Sequence, residues 1–526
     1  MNRRRFLAVS AASVGATVGW HSASSVAVAP LPALSGNATV PLAAVRRLVV
    51  ERTDALPGRC RYVADLGAQR IASPILVARR GDRIDAIVEN RLPQPTTVHF
   101  HGLTLSEAQD GAGFDAIGPG DTRALRFEVK NRAGLYWFHS HPHGFTAEQV
   151  HAGLAGLLVV TDDEDHALDT ALALAPGNRL ALALADARVA QGVLRPYAPS
   201  GLDCLHGWFG NRALVNGALD ARLPVAPGWV RLQLANTCNA RGLLLAFQDG
   251  ERDGASVPFY LLGTDGGLLA APVPLERVFL YSAERVDVAI DVSGHRNVAA
   301  VSLAFDSRHQ TRGGSLVHRH PAREQYPPLA DAGICATPAG DAADMLPDGA
   351  GIALFTLNVG GSARAAPPQL PSKISTLPEA VAADATPRRI RLDFDERAGF
   401  LINQSPYRAD EIEFSVARGA REVWELRNSP ISMPHPMHLH GFGFRVLRRR
   451  GTFGPARALA VDGSGRLPTD LGIKDTVVVW PNETLWLALD FALPEDAAFR
   501  GRQRYMFHCH NLEHEDGMMM RNFAVL

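Results

Sequence analysis

The sequence predicts an all-β chain organised as three β-sandwich domains. Three observations carry that expectation: short alternating runs, a phrase of sequence written twice and echoed a third time, and a length of 526 residues. Runs such as Asp82-Arg-Ile-Asp-Ala-Ile-Val-Glu and Glu422-Val-Trp-Glu-Leu-Arg alternate apolar and polar side chains, and Gly, Pro and Asn punctuate them. A period of two turns one strand face to a core and the other to water, which reads as antiparallel sandwiches with few helices. The chain is long enough for three domains of ordinary size.

The first element, residues 1–29, reads as a leader. Asn2-Arg-Arg-Arg-Phe-Leu resembles a twin-arginine export signal, a weakly apolar run follows from Ala8 to Trp20, and Ala27-Val-Ala29 offers small residues for cleavage. A basic tail would explain Arg3 to Arg5 but not the Phe-Leu or the Ala-x-Ala. The run is too short for a membrane span and no later segment is long and apolar enough, so the expected location is the periplasm.

The next element spans 40–165. In it Val77-Ala-Arg-Arg-Gly81 leads to Asn90, then His99-Phe-His101-Gly, then Tyr136-Trp-Phe-His139-Ser-His141. The last element, 388–526, repeats the phrase: Val416-Ala-Arg-Gly419, Asn428, His438-Leu-His440-Gly, and Tyr505-Met-Phe-His508-Cys-His510. Between them, 166–360 carries a weaker copy, Pro227-Gly-Trp-Val-Arg-Leu-Gln-Leu-Ala-Asn236, with no His-x-His after it; it reads as a metal-free spacer. Repeats this long are duplicated domains, not a solenoid. Asp162-Asp-Glu-Asp marks the first boundary, and the Pro/Ala-rich stretch within 361–387 reads as a linker. Arg308 to Ala350 is Pro/Gly-rich and holds His318-Arg-His320; with no strand pattern beside that pair, a solvated loop is expected.

Chemistry concentrates between His508 and Asp516, where a cysteine lies between two histidines and a third histidine follows at His514. Two imidazoles, a thiolate and a weak axial thioether make a blue-copper electron-transfer centre. On a strand Cys509 faces one way while His508 and His510 face the other, so one strand serves metal on both sides. With His435, Cys509 and His514 assigned to the blue copper, eight histidines remain in four pairs, suited to three coppers with open positions for oxygen. A single His-x-His is ordinarily surface decoration or a satisfied core pair. Four such pairs in one chain, one of them around a cysteine, with His435 and His514 bringing the count to ten of the nineteen histidines, argue against that. Ser140 stands where Cys509 stands, so the first copy cannot build a thiolate site.

From about Val40 to the C-terminus, these four clusters resemble the copper-binding motifs of the multicopper oxidases, the laccase-like family. The resemblance implies cupredoxin-like Greek-key sandwiches and four copper ions. It implies a type 1 copper on His435, Cys509 and His514, with Met519 axial and Met518 and Met520 beside it. His99 and His438 then fall on a type 2 copper, and His101, His139, His141, His440, His508 and His510 on a type 3 pair. His143 lies outside the motif. A small reductant is expected to give single electrons to the type 1 copper through an exposed edge of His435 or His514. They cross from Cys509 to His508 and His510, and the cluster reduces O2 to two waters. Reduction consumes protons, and Asp110 and Glu515 match the proton-relay positions of bacterial relatives.

Formal net charge is −1 with acids and bases interspersed, so no nucleic-acid partner is expected. A monomer is expected. With Cys509 a ligand, Cys60, Cys204, Cys238 and Cys335 allow three disulfide connectivities, and the sequence does not choose among them. Copper-efflux members of the family carry a methionine-rich insertion; this chain has eight methionines and no rich segment, which favours phenols and aromatic amines over Cu(I). The non-enzymatic alternative is a periplasmic scaffold like the division-associated relatives that lost their coppers, but here every ligand position is filled.

Overall fold

The computed structural model describes residues 38–53, 58–250, 254–307, 345–361, 367–379, 386–395, 398–430 and 432–526, with the backbone of two short strands, Thr311–Arg312 and Ser315–Leu316. The expected leader, the His318-Arg-His320 pair and Cys335 lie outside those residues.

Alternation becomes face as expected. Strand Arg83–Asn90 buries Ile84, Ala86, Val88 and Asn90 while Arg83 and Asp85 stay exposed. Three two-sheet sandwiches result, each around its own core. The first packs the sheet carrying His99–His101 and Gly134–His139 on the sheet carrying Arg47–Arg52 and Arg83–Asn90, with Leu48, Val50, Phe100 and Phe138 between. The second packs a seven-stranded sheet on a five-stranded one around Leu232, Phe247, Phe259 and Val288. The third packs the sheet of Arg421–Asn428 and Thr484–Asp490 on the sheet of His435–Leu439, Gln503–Cys509 and Met520–Val525.

The sheets are not purely antiparallel, and this corrects the sequence reading. Each sandwich contains an equivalent parallel pairing: Arg47 to Val50 with Ile87 to Asn90, Arg179 to Leu184 with Arg231 to Asn236, and Arg388 to Leu392 with Trp424 to Asn428. Alternation reports which face is buried, not which way the neighbouring strand runs. The middle unit shares this pairing with the other two.

The same three strands end on buried asparagines. The Nδ2 of Asn90 donates to Gln94 and Ile117 carbonyls, that of Asn236 to Arg241 and Leu280, and that of Asn428 to Met433 and Val479. Each thereby ties the strand end to the loop that precedes the next strand. The described part of the linker, 367–379, holds no strand or helix but docks firmly: Trp229 Nε1 donates to Pro368 O and Ile374 N to Ala270 O.

Candidate metal centre

Strand pairing aims the histidines. His99 pairs with His139 in the first sandwich, and His438 pairs with His508 in the third. Cross-strand partners share a face, so each sandwich presents its imidazoles as a patch, and the two patches meet. His99 Nε2 lies 3.4 Å from His438 Nε2, His139 Nε2 3.4 Å from His510 Nε2, and His141 Nε2 3.2 Å from His508 Nε2. His440 Nε2 lies 3.0 Å from His508 Nε2. All eight rings are buried.

The outer nitrogens decide what those contacts mean. Nδ1 of His99 meets Asp110 O at 2.7 Å, His139 meets Ser140 O at 2.9 Å, His438 meets Asp475 O at 2.9 Å and His508 meets Cys509 O at 3.1 Å. A carbonyl only accepts, so these Nδ1 atoms carry the proton and each Nε2 carries a lone pair. His440 Nδ1 likewise faces Asp110 Oδ2 at 2.6 Å. Lone pairs converging at this range repel unless a cation lies among them, and neutral imidazole is the form that binds one. Burial, then neighbouring imidazoles, holds His101, His139, His141, His438, His440 and His510 well below the usual histidine range, and His99 at about 3. The donor set fits copper. Groups able to hold an ion are His99 with His438 and His440, His99 with His101 and His139, and His141 with His440 and His508.

His101 is turned the other way. Its Nε2 meets Asp475 Oδ1 and Thr476 Oγ1, both at 3.0 Å, while Nδ1 has no partner and is the nitrogen left for a metal.

On the opposite face of strand Gln503–Cys509, His435 Nδ1 and His514 Nδ1 lie 3.4 and 3.5 Å from Cys509 Sγ. Ser432 Oγ holds His435 Nε2 at 2.8 Å, and Leu205 O accepts from His514 Nε2 at 2.9 Å. Burial pushes the Cys509 thiol up and holds His435 at about 3, so a bound cation is what would draw the thiolate out. Register separates the methionines. His508 pairs with Met520, and Cys509 N donates to Met519 O, so Met519 shares the face and the core of Cys509 while Met520 shares the face of His508. Met518 occupies the turn with φ +66°.

Neither imidazole has the exposed edge expected from sequence: His435 and His514 are both 0% exposed. Phe400 lies over His514 with ring centroids 4.0 Å apart, and helix Gly201–His206 of the middle sandwich covers the site. Ser200 and Asp203 cap that helix reciprocally, and Asn511 Nδ2 donates to His206 O. A cover drawn from another domain is invisible to strand patterning.

Both expected carboxylates are buried beside imidazoles. Asp110 is pushed up to about 6 by burial, opposed by the nearby His99 and His508 imidazoles. Gly111 follows at φ +73°, where a Cβ would come within 2.1 Å of Val98 O, and this close turn brings the Asp110 carbonyl to His99. Glu515 sets Oε1 3.4 Å from His141 Nδ1 and Oε2 3.3 Å from His508 Nδ1. His143 packs edge-on against Tyr407, outside the metal-competent groups among the described residues. The sequence reading missed Asp475, Thr476, Ser432, Leu205 and Phe400; each acts through a tertiary contact and carries no motif. Cys204 is disulfide-bonded, while Cys60, Cys238 and Cys509 are free thiols.

Two family models described as multicopper oxidase match residues 66–165 and 375–526. A multicopper oxidase of Staphylococcus aureus is 26% identical over 86% of this chain and 82% of its own length. The cell division protein FtsP of Xenorhabdus nematophila is 27% identical over 84% and 81%. Among solved structures, the McoA multicopper oxidase of Aquifex aeolicus superposes with a TM-score of 0.76 at 25% identity, covering 94% of this chain and 99% of that one.

Proposed function

The chain belongs to the multicopper oxidase family, and from that premise we propose that it oxidises phenols or aromatic amines one electron at a time and reduces dioxygen to water. The observation that carries the reading is the convergence of unprotonated imidazole nitrogens from both ends of the chain beside a buried thiol. Four copper ions, when bound, supply the one-electron chemistry and the reduction of oxygen. His435, Cys509, His514 and Met519 hold the type 1 ion; His99 and His438 hold the type 2 ion. His101, His139, His141, His440, His508 and His510 hold the type 3 pair.

The chain's own contribution is wiring, protons and exclusion. Cys509 is bonded through one peptide unit to each of His508 and His510, a short covalent path between the two sites. Asp110, against His440 and His99, and Glu515, against His141 and His508, place carboxyl groups for proton relay within reach of the cluster from two sides. Phe400 and helix Gly201–His206 keep water from the thiol.

That cover favours a second reading, oxidation of a small reductant such as Cu(I), because a bulky ring cannot touch His514. The helix holds no methionine, which favours the phenol reading in turn. The likeness to FtsP raises a copper-free scaffold, and the filled ligand set opposes it. Domains at 40–165, 166–360 and 388–526, a linker at 361–387, a monomer, and periplasmic delivery by the leader at 1–29 complete the proposal. Among the described residues no helix is long and apolar enough to cross a membrane.

Reconstitution with copper tests it: four ions per chain, a blue thiolate band and oxygen uptake with a phenol are expected. Uptake with Cu(I) alone would select the second reading, and neither metal nor colour would select the scaffold. Fractionation of cells tests the compartment.

A further inference from the structure

We infer that Arg285, on the middle sandwich, is a positioning residue for the histidine-only copper cluster: it holds Asp475, which in turn orients His101 and His438. The inference rests on the reading above and assigns a role to a domain that reading leaves as a spacer.

Arg285 opens the strand Arg285–Asp291 and is 0% exposed. Its guanidinium has five N–H donors, and the structure places an acceptor at each. Nε donates to Leu135 O of the first sandwich at 3.2 Å. Nη1 donates to Ala283 O at 3.0 Å and Nη2 to Asp265 O at 3.1 Å, within the middle sandwich. The remaining two N–H groups grip Asp475 of the third sandwich side-on, Nη1 to Oδ1 at 2.6 Å and Nη2 to Oδ2. One planar fork thus pins all three sandwiches at one point.

Asp475 passes that position on to the imidazoles. Its Oδ1 takes the Nε2 proton of His101 at 3.0 Å, and its carbonyl takes the Nδ1 proton of His438 at 2.9 Å. The first contact makes His101 offer Nδ1 to the cluster, where His99, His139, His438 and His508 offer Nε2. The backbone accommodates this closely: a Cβ on Gly102, next to His101, would fall 2.4 Å from Asp475 Oδ2 and 2.7 Å from Arg285 Nη2.

A second set of buried contacts braces Asp475. Lys474 Nζ lies 3.0 Å from both Asp265 Oδ2 and Glu284 Oε1, and the backbone N–H groups of Asp475 and Thr476 reach Asp265 Oδ2 at 3.3 Å. Lys474 and Arg285 therefore face three buried carboxylates, Asp265, Glu284 and Asp475. These contacts fix the backbone and carboxylate of Asp475 where they meet His101 and His438.

The test uses full-length protein reconstituted with copper, with chelator competition read separately at the blue band and at the remaining copper. Arg285→Gln should keep the blue band and its chelator midpoint, while affinity for the other coppers falls by about 10- to 100-fold. Arg285→Lys should recover part of that loss, because it restores the charge but not the fork. Asp475→Asn should repeat the Arg285→Gln pattern and serves in its place if that variant does not fold. Full retention of cluster copper in Arg285→Gln overturns the inference, and so does loss of blue band and cluster in equal measure, which would make Arg285 a general structural residue. An unsubstituted protein that takes up no copper would instead overturn the oxidase reading.

Discussion

The first and third sandwiches are one device built twice, and they differ where the third has its thiol. The histidine pairs sit in the same register, His99 against His139 and His438 against His508. At the four places where the third copy has His435, Cys509, His514 and Met519, the first has Thr96, Ser140, Gln149 and Leu154. The first copy closes that space with neutral groups that satisfy one another. Thr96 Oγ1 and Ser140 Oγ lie 2.9 Å apart, and both reach Gln149 Oε1, at 2.8 and 2.5 Å. The third copy fills it with a thiol and two imidazole nitrogens whose other contacts are already made. One arrangement is complete as protein; the other is complete only with a cation. Duplicating the scaffold therefore duplicated the outward-facing histidines but not the inner site.

The harshest way to break this comparison is Cys509→Ser, which gives the third copy the side chain of the first. Blue absorption and turnover should vanish while the histidine cluster keeps its copper, as read by metal analysis beside the spectrum. A variant that stayed blue would show that Cys509 is not the soft ligand. Asp110→Asn should act more mildly. Removing a titratable group that touches His440 should slow oxygen reduction on the order of 10²-fold. Anaerobic reduction of the blue band by substrate should proceed at its ordinary rate, and unchanged steady-state turnover would reject the relay. The converse swap, Ser140→Cys, should yield no second blue band, because Thr96 and Gln149, the side chains beside it, supply no imidazole. A new band would mean that thiolate alone recruits copper there.

Much of this was legible because it repeats. The strand alternation, the twice-written phrase around His139 and His508, and the asparagines at 90, 236 and 428 each recur from one sandwich to the next, so comparing the copies exposes them. What stayed hidden depends on contacts between sandwiches. Helix Gly201–His206 lies far in sequence from the His514 it covers, so an exposed imidazole edge was the natural but mistaken expectation. Asp475 and Arg285 sit in ordinary strand contexts, and only packing brings them to His101. The parallel pairings were missed for a different reason: side-chain alternation is the same whichever way the neighbour runs.

The smallest predicted effect concerns the asparagines that the three copies share. Each closes a turn with its Nδ2, and in two copies Oδ1 also accepts the N–H two residues on, from Leu92 and Cys238. In the third copy that residue is Pro430, which has no N–H, and Asn428 Oδ1 has no partner. Asn236→Ala would strand the buried Arg241 and Leu280 carbonyls and should cost about 1–3 kcal/mol in unfolding free energy. The blue band should stay unchanged, since those carbonyls lie in the middle unit, where the described residues hold no metal-competent group. Asn428→Ala frees the carbonyls of Met433 and Val479, and Val479 is the strand partner of His435. Here the same loss should also loosen His435, shifting the blue band or its chelator midpoint along with stability. Denaturant titrations paired with the spectrum separate the two outcomes. Equal behaviour of Asn236→Ala and Asn428→Ala would mean that the turn holds the fold but not the imidazole.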